Sequence, residues 1–223
     1  MFIGHFGVAF AAKRVSPRTS LGTTFVAAQL ADLLWPILLL AGVEQVRIVP
    51  TASNPFLALD FISYPWTHSL LAECVLGAVF AAGVYAAHRD RTSALVAGLL
   101  VPSHWLLDVV VHVPDLPLYP GGSARLGFGL WRNPTATIVV ECIVFFAGVF
   151  IYARSTRARD RIGRYGFWLL ALFLVGLYYA SAAGPLPPSV KALAVTALVG
   201  WPLTLWPWWI DRHRTIETSA LPR

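Results

Sequence analysis

The sequence predicts an all-α fold, a polytopic membrane helical bundle of about six transmembrane helices with a short N-terminal re-entrant or interfacial helix. Two observations predict this fold class. Apolar residues make up 57% of the 223-residue chain and charged residues 13%, whereas a soluble domain carries about 25% charged residues. The apolar residues also form runs of about 20 residues, the length that crosses about 30 Å of hydrocarbon. Residues 1–223 are therefore interpreted as one integral membrane domain.

Six apolar runs have the length of a membrane span. They cover about residues 20–42, 67–87, 93–113, 134–153, 165–183 and 190–210. Asn133 and Pro134 mark the start of the fourth span, because asparagine caps helices and proline suits the first helical turn. Residues 1–12 are too short to cross, and a re-entrant or interfacial helix buried against the bundle fits them better than a flexible tail. Gly4 and Gly7 would permit close packing there.

The basic residues predict the orientation of these spans. Six spans place four of the 17 basic residues on the side of the two longest loops: Arg47, Arg125, Arg132 and Lys191. The other 13 fall on the opposite side, with both termini: Lys13, Arg14, Arg18, Arg89, Arg91, Arg154, Arg157, Arg159, Arg161, Arg164, Arg212, Arg214 and Arg223. Since basic residues favour the cytoplasmic side, we expect a multi-pass protein of the inner cell membrane with both termini in the cytoplasm.

Charge and cysteine content narrow the function classes. The net charge of +6 lies in short segments between apolar runs, with no basic face that carries base-reading chemistry, so no nucleic-acid partner is expected. Cys74 and Cys142 are the only cysteines, and both fall in apolar runs, which excludes a disulfide framework and a CxxC metal site. The expected partners are membrane lipids and a small or lipid-linked substrate, while the oligomeric state is not indicated.

Ionisable residues inside the apolar runs are the main functional signal. An ionised aspartate at bilayer depth costs roughly 2.5–3.5 kcal/mol, so such residues usually mark a site. His104, Asp108 and His112 lie four residues apart in the third span and so form one polar stripe. Pro102 kinks the same helix and opens room beside the stripe. A histidine with a carboxylate one turn away commonly holds a divalent metal or orients an imidazole.

Further ionisable residues are expected at a similar depth. Asp32 lies in the first span, shortly before a kink expected at Pro36. His68 opens the second span, and His5 joins them only if the N-terminal segment re-enters the bundle. Glu141, in the fourth span, is a candidate further ligand or base. Glu73 lies about 140° from His68 around the second span, which favours a different neighbour for it.

Together these motifs resemble the YdjM-type family, a domain-of-unknown-function family of inner-membrane proteins described as metal-dependent hydrolases. Its members carry an early His-x-x-x-Gly/Ala element, an Asp-rich motif, a Thr-His-Ser motif and a later His-x-x-x-Asp motif. The matching residues occur in the same order over about the first 120 residues. They are His5 with Ala9, Asp32, Thr67-His68-Ser69, and His104 with Asp108.

The resemblance implies a membrane-embedded metal-dependent hydrolase acting on a lipid or lipid-linked ester or phosphoester, with a divalent ion such as zinc as cofactor. It implies metal ligands at His5, Asp32, His68, His104 and Asp108. Three of these, Asp32, His104 and Asp108, would be the catalytic residues. The chain departs from the family pattern at two places: Leu34 replaces the second aspartate of Asp-x-Asp, and Tyr64-Pro65-Trp66 stands where an arginine commonly precedes Thr-His-Ser by a few residues. His112 and Glu141 are the candidate replacements for the missing ligand.

Two other function classes stay open on the residues alone. The buried aspartates and histidines also suit a non-enzymatic proton- or ion-coupled carrier with kinked helices. In a third class, a catalytically inactive structural membrane protein, the same residues only fix helix packing, and the missing second aspartate favours that class. Stoichiometric metal would separate the enzyme from the structural protein, and flux without hydrolysis would identify the carrier.

Overall fold

The computed structural model describes residues 1–217, so Arg223 of the orientation count lies outside the described part. The helices are α1 (Ile3–Val15), α2 (Leu21–Ala28), α3 (Leu30–Leu40), α4 (Leu70–His88), α5 (Arg91–Val111), α6 (Pro134–Ser155), α7 (Arg161–Ala183), α8 (Val190–Ala197), α9 (Gly200–Leu203) and α10 (Leu205–Arg212). The strands are short: β1 (Gln45–Ile48), β2 (Leu59–Ser63), β3 (Leu116–Pro117), β4 (Arg125–Leu126), β5 (Thr156–Ala158) and β6 (Arg214–Ile216). They pair antiparallel as β1–β2, β3–β4 and β5–β6, and the predicted all-α bundle is confirmed.

Within residues 1–217, five helical segments are long and apolar enough to cross a membrane: α4, α5, α6, α7 and Val190–Arg212, which comprises α8 to α10. Helices α2 and α3 together qualify as a sixth, bent by 53°. The bend lies at Gln29, before Asp32, whereas α3 continues as a helix through Pro36, where a kink was expected from the sequence. The break falls at Gln29 because its backbone (φ −109°, ψ 8°) leaves the α-helical region.

Helix α1 is buried along α6, as expected for an apolar segment too short to cross. A Cβ atom added at Gly7 would lie 2.5 Å from the Val144 carbonyl oxygen, and one added at Gly148 would lie 1.9 Å from the Gly7 carbonyl oxygen. Only glycine permits this approach of two backbones. Below it, Phe10 packs against Phe25 at a ring-centroid distance of 4.9 Å. The glycine pair therefore fixes how far α1, and His5 on it, reaches into the bundle.

Capping residues set where the membrane helices begin. Ser69 accepts a hydrogen bond from the Ala72 amide and starts α4. Asn133 does the same for Ala136 and starts α6 at Pro134, where the sequence predicted it. Each cap satisfies one amide that the first helical turn leaves without a partner. The ends of α4 and α6 that face the long loops are thus fixed by local sequence.

The two long segments between spans form an ordered covering at one end of the bundle. They comprise residues 43–69, with the β1–β2 hairpin, and residues 112–133, with the β3–β4 pair. The Asn54 side chain donates to the Trp131 carbonyl at 3.1 Å, which joins the two segments. The Trp105 indole donates to the Pro117 carbonyl at 3.1 Å, which joins the second segment to α5. The two segments are thus tied to each other and to α5.

The opposite end carries the basic residues and closes by ion pairs and a short sheet. Lys13 of α1 contacts Asp211 of α10 at 2.7 Å, with the lysine side chain only 5% exposed. Arg18 contacts Asp90 in the turn between α4 and α5 at 3.3 Å. Strands β5 and β6 pair at the same end. We call this the basic end and the covered end the loop end.

Candidate metal centre

The structure brings together all five residues expected as metal ligands. They form a cluster with His112 that we call the His–Asp cluster, consisting of His5, Asp32, His68, His104, Asp108 and His112. Its members come from α1, α3, α5 and the segments that precede α4 and follow α5. The shortest approach between a histidine of α5 and an aspartate is 3.3 Å, between His104 Nε2 and Asp108 Oδ2. The sequence pattern thus predicted a grouping that tertiary packing completes.

His104 lies at the centre of the cluster and presents one ring nitrogen to it. Its Nδ1 lies 2.9 Å from the Ala28 carbonyl oxygen, at the break between α2 and α3. A carbonyl oxygen can only accept, so Nδ1 donates and the neutral ring keeps its lone pair on Nε2. Among residues 1–217, that Nε2 has no hydrogen-bond partner, although the Asp108 and Asp32 carboxylates lie at 3.3 and 3.8 Å. These groups share a space without bonding directly to one another.

His68 is oriented by a relay through the Thr-His-Ser motif. The Thr67 hydroxyl donates its only hydrogen to Glu44 Oε2 at 2.7 Å, so it must accept from His68 Nδ1, also at 2.7 Å. His68 therefore turns Nε2 to Asp32 Oδ1, 3.4 Å away. Ser69 caps α4, as described above. Each residue of the motif thus has a separate structural task.

His112 follows the same pattern at the loop end. Its Nδ1 lies 2.9 Å from Asp115 Oδ1, which also accepts from the Tyr64 hydroxyl at 2.9 Å. Its Nε2 lies 3.7 Å from Asp108 Oδ2, and the Trp131 ring covers it at a centroid distance of 3.9 Å. Three histidines therefore point Nε2 at the two aspartates, with an acceptor outside the cluster holding each Nδ1, as around metal-binding histidines.

Helix α1 positions His5 beside Asp108 Oδ1, whereas His104 and His112 face the other carboxylate oxygen, Oδ2. His5 Nε2 lies 3.1 Å from Asp108 Oδ1, and its ring stacks on His104 at a centroid distance of 3.7 Å. The Met1 amino nitrogen also contacts Asp108. Glu141 accepts from the amides of Phe2 and Gly4 at the start of α1. Of the two candidate replacements for the missing aspartate, His112 joins the cluster, whereas Glu141 holds the helix that carries His5.

Burial distinguishes Asp32 from the rest of the cluster. The Asp32 side chain is 40% exposed, whereas those of the other members are at most 5% exposed. These other five side chains are polar or charged and are held away from solvent. Burying such groups costs free energy where they lack a partner. The cluster opens on the side of Asp32.

The donor atoms suit one small divalent ion. Tetrahedral zinc with ligands at about 2.0–2.1 Å separates those ligands by about 3.4 Å. The donor atoms of three pairs have similar spacings: 3.4 Å for His68–Asp32, 3.8 Å for His104–Asp32 and 3.3 Å for His104–Asp108. Two groups have ligand atoms within 4.8 Å of one another, His5–Asp32–His104 and His68–His104–Asp108. Both include His104, which has only Nε2 available, so the arrangement suits one ion at a time.

Three acidic residues outside the cluster support it, and two of them are not apparent from the sequence pattern. Glu44 and Asp115 lie in loops without periodicity, and Asp115 is signalled only by standing three residues after His112. Glu73 is fully buried and accepts from the amide of Trp105, the residue after His104, at 3.0 Å. Its second oxygen has no hydrogen-bond partner. Glu73 of α4 therefore faces α5 beside the cluster without being one of its members.

Thr67 offers a test of the relay. We expect Thr67→Val to weaken metal binding by about 10–100-fold, because it removes the hydroxyl that orients His68 while keeping the side-chain shape. Thr67→Ser retains the hydroxyl and should bind metal within a few-fold of the wild type. Competition with a chromophoric chelator measures both affinities. Equal affinities in the valine and serine variants would refute a role for the relay.

Comparisons with known proteins found no relative of this chain. No family model, no curated protein and no solved structure matches the chain. The fold and site described above therefore define the class directly: a helical bundle with membrane-spanning helices and a buried cluster of histidines and aspartates.

Proposed function

We propose that this protein is a membrane-embedded, metal-dependent hydrolase that acts on a lipid or lipid-linked ester or phosphoester. The observation that carries the proposal is the His104 Nε2 atom. It is buried, lacks a hydrogen-bond partner and lies 3.3 and 3.8 Å from two carboxylates. A neutral nitrogen lone pair beside two carboxylates is a set of donors that a cation satisfies.

The proposed ligands are His68, His104, Asp32 and Asp108, with His5 stacked behind His104. A divalent ion bound there, with zinc the best match to this mixture of nitrogen and oxygen donors, would supply Lewis-acid polarisation of a scissile oxygen and acidify water. Asp32 is the exposed member, so an incoming substrate meets it first. Asp108 faces three histidines of the cluster, so it would hold the ligands in register.

The substrate class and the location rest on the setting of the cluster. The cluster lies among helices long and apolar enough to span a membrane, which favours a substrate carried by lipid. Resemblance of the His5, Asp32, Thr67-His68-Ser69 and His104/Asp108 motifs to the YdjM-type family supports hydrolysis. The 13-to-4 distribution of basic residues supports an inner-membrane location with both termini in the cytoplasm.

Metal content of the purified protein tests the proposal. We expect about one equivalent of zinc or another transition metal in protein purified without chelators, and none in the His104→Ala/Asp108→Ala double variant. His88→Ala, which changes a histidine outside the cluster, is the matched control and should keep the metal. Thermal unfolding shows that each variant is folded, and a screen of lipid phosphoesters then follows hydrolysis by the metal-loaded wild type.

Two results would contradict the proposal. One is the lack of metal in the wild type both after purification and after reconstitution with zinc, manganese, cobalt or nickel. The other is metal that the folded double variant retains. Bound metal without hydrolysis of any lipid ester or phosphoester would support metal binding but contradict the proposed hydrolase reaction.

One observation favours the carrier as a second candidate. Glu73 is fully buried, and one of its carboxylate oxygens has no hydrogen-bond partner, as in residues that exchange protons within membranes. A carrier would show pH- or voltage-driven ion flux in liposomes, reduced in Glu73→Gln. Flux in the absence of bound metal and hydrolysis would identify this function over the hydrolase.

A further inference from the structure

A groove separate from the His–Asp cluster runs between α4 on one side and α2 and α3 on the other. Its volume is about 460 Å³. Most of its walls are apolar, with residues such as Val26, Leu30, Leu34, Leu76, Phe80 and Val84. Between Leu76 and Ala87 of α4, the groove extends about 16 Å along the helix axis. It therefore lies along membrane-spanning helices, where hydrocarbon chains and not water surround the protein.

The groove opens at the basic end next to charged residues. Thr23, His88 and Trp208 line that end. Arg18 precedes α2 and contacts Asp90, which follows α4, at 3.3 Å. This ion pair joins the chain segments next to the two walls of the groove. The Arg18 side chain is 83% exposed, so its guanidinium stays accessible to a further ligand.

The charge at this mouth is positive. Arg89 and Arg91 flank Asp90 in sequence, and Arg18 contacts its carboxylate. Hydrogen bonds from the Ser93 side chain and amide hold the pKa of Asp90 below its ordinary value, and Asp90 is therefore ionised at neutral pH. The arginines still exceed the carboxylate by two charges. Basic residues at the ends of membrane helices attract anionic lipid headgroups, by about 1 kcal/mol for each side chain.

We propose that this groove binds one anionic phospholipid, with an acyl chain along the apolar walls and the phosphate at Arg18. Two features select this occupant. The apolar walls fit a hydrocarbon chain, and the arginine excess at the mouth complements a negative headgroup and gives no preference to a zwitterionic one. This binding site does not depend on the proposed hydrolase activity.

A lipid in the groove would support the position of α4. That helix packs closely on α5, where a Cβ atom added at Gly77 would lie 2.5 Å from the Gly98 carbonyl oxygen. The side of α4 that faces α2 borders the groove instead. An acyl chain would fill that gap and connect α4 to α2 and α3. Because His68 lies two residues before α4, the lipid would also stabilise the position of one cluster histidine.

Tryptophan quenching tests the proposal, since Trp208 lines the mouth of the groove. The full chain is reconstituted in phosphatidylcholine vesicles that contain a minor fraction of either phosphatidylglycerol or phosphatidylcholine brominated near the headgroup end of an acyl chain. The difference between the wild type and Trp208→Phe isolates the Trp208 signal. We expect brominated phosphatidylglycerol to quench this signal at lower lipid fraction than brominated phosphatidylcholine does.

Charge variants decide between specific binding and ordinary lipid contact. Arg18→Gln should reduce the preference for phosphatidylglycerol about fivefold. The variant is measured both with Trp208 and with Trp208→Phe, so that the Trp208 signal is isolated as before. Arg154→Gln, at the basic end but on α6, is the matched control and should retain the preference. The exposed Arg18–Asp90 pair adds little to stability, so the variant should fold. Equal quenching by the two lipids, or an unchanged preference in Arg18→Gln, would overturn the proposal.

Discussion

Replacing Asp108 with asparagine is expected to abolish stoichiometric metal binding while the bundle stays folded. Asparagine keeps the shape of the side chain but removes the charge that faces His5, His104 and His112. The loss concerns a proposed ligand, so the affinity should fall by more than the roughly 10–100-fold that loss of an outer partner costs. Metal titration monitored by calorimetry, with thermal unfolding alongside, measures both properties.

Asp60→Asn is the control for this substitution. Asp60 lies on β2, is 42% exposed and contacts Arg47 of β1 outside the cluster, so its variant should bind metal like the wild type. A folded Asp108→Asn variant with wild-type metal affinity would remove Asp108 from the ligand set. Loss of metal in both aspartate variants would point to a general effect of charge and not to coordination at Asp108.

The second large effect is expected at a residue without a functional group. In Gly148→Ala, the new Cβ atom would lie 1.9 Å from the Gly7 carbonyl oxygen, and neither backbone can yield without moving α1. Overpacking of this kind costs about 1–3 kcal/mol of stability. Because α1 carries His5, we expect weaker metal binding as well as a lower unfolding temperature.

Gly176→Ala separates the contact from the substitution itself. A Cβ atom added at Gly176 meets no heavy atom within 4 Å, and alanine favours a helix over glycine by about 1 kcal/mol. This control should be as stable as the wild type or more stable. If Gly148→Ala unfolded at the same temperature as Gly176→Ala, the close packing of α1 on α6 would be wrong. Unchanged metal affinity despite lower stability would separate His5 from the metal site.

The membrane-spanning helices and the core of the cluster were predictable because their signals are local. Apolar runs show the spans, and the four-residue spacing from His104 to Asp108 needs no tertiary information. The break at Gln29 was not predictable, since no proline or glycine marks it. The helical angle between His68 and Glu73 does not describe their placement, because α4 begins at Leu70 and His68 precedes the helix to which the angle was applied.

The residues that orient the histidines were harder to foresee. Glu44 contacts Thr67 across 23 positions of the chain, and the Ala28 carbonyl contacts His104 across 76. A backbone carbonyl carries no side-chain signal, and loop carboxylates show no periodicity that would place them. Such partners follow from tertiary packing, which the period of a helix does not encode.

Asp32 is the one exposed member of the His–Asp cluster, and this affects the rate at which a bound ion would exchange. An ion held by the cluster would leave it past this carboxylate, because the other members are almost fully buried. Exchange of the ion would then be limited by access and not by affinity. Small chelators would remove it faster than bulky chelators of equal strength, and a protein that binds metal only moderately at equilibrium would still retain it through purification.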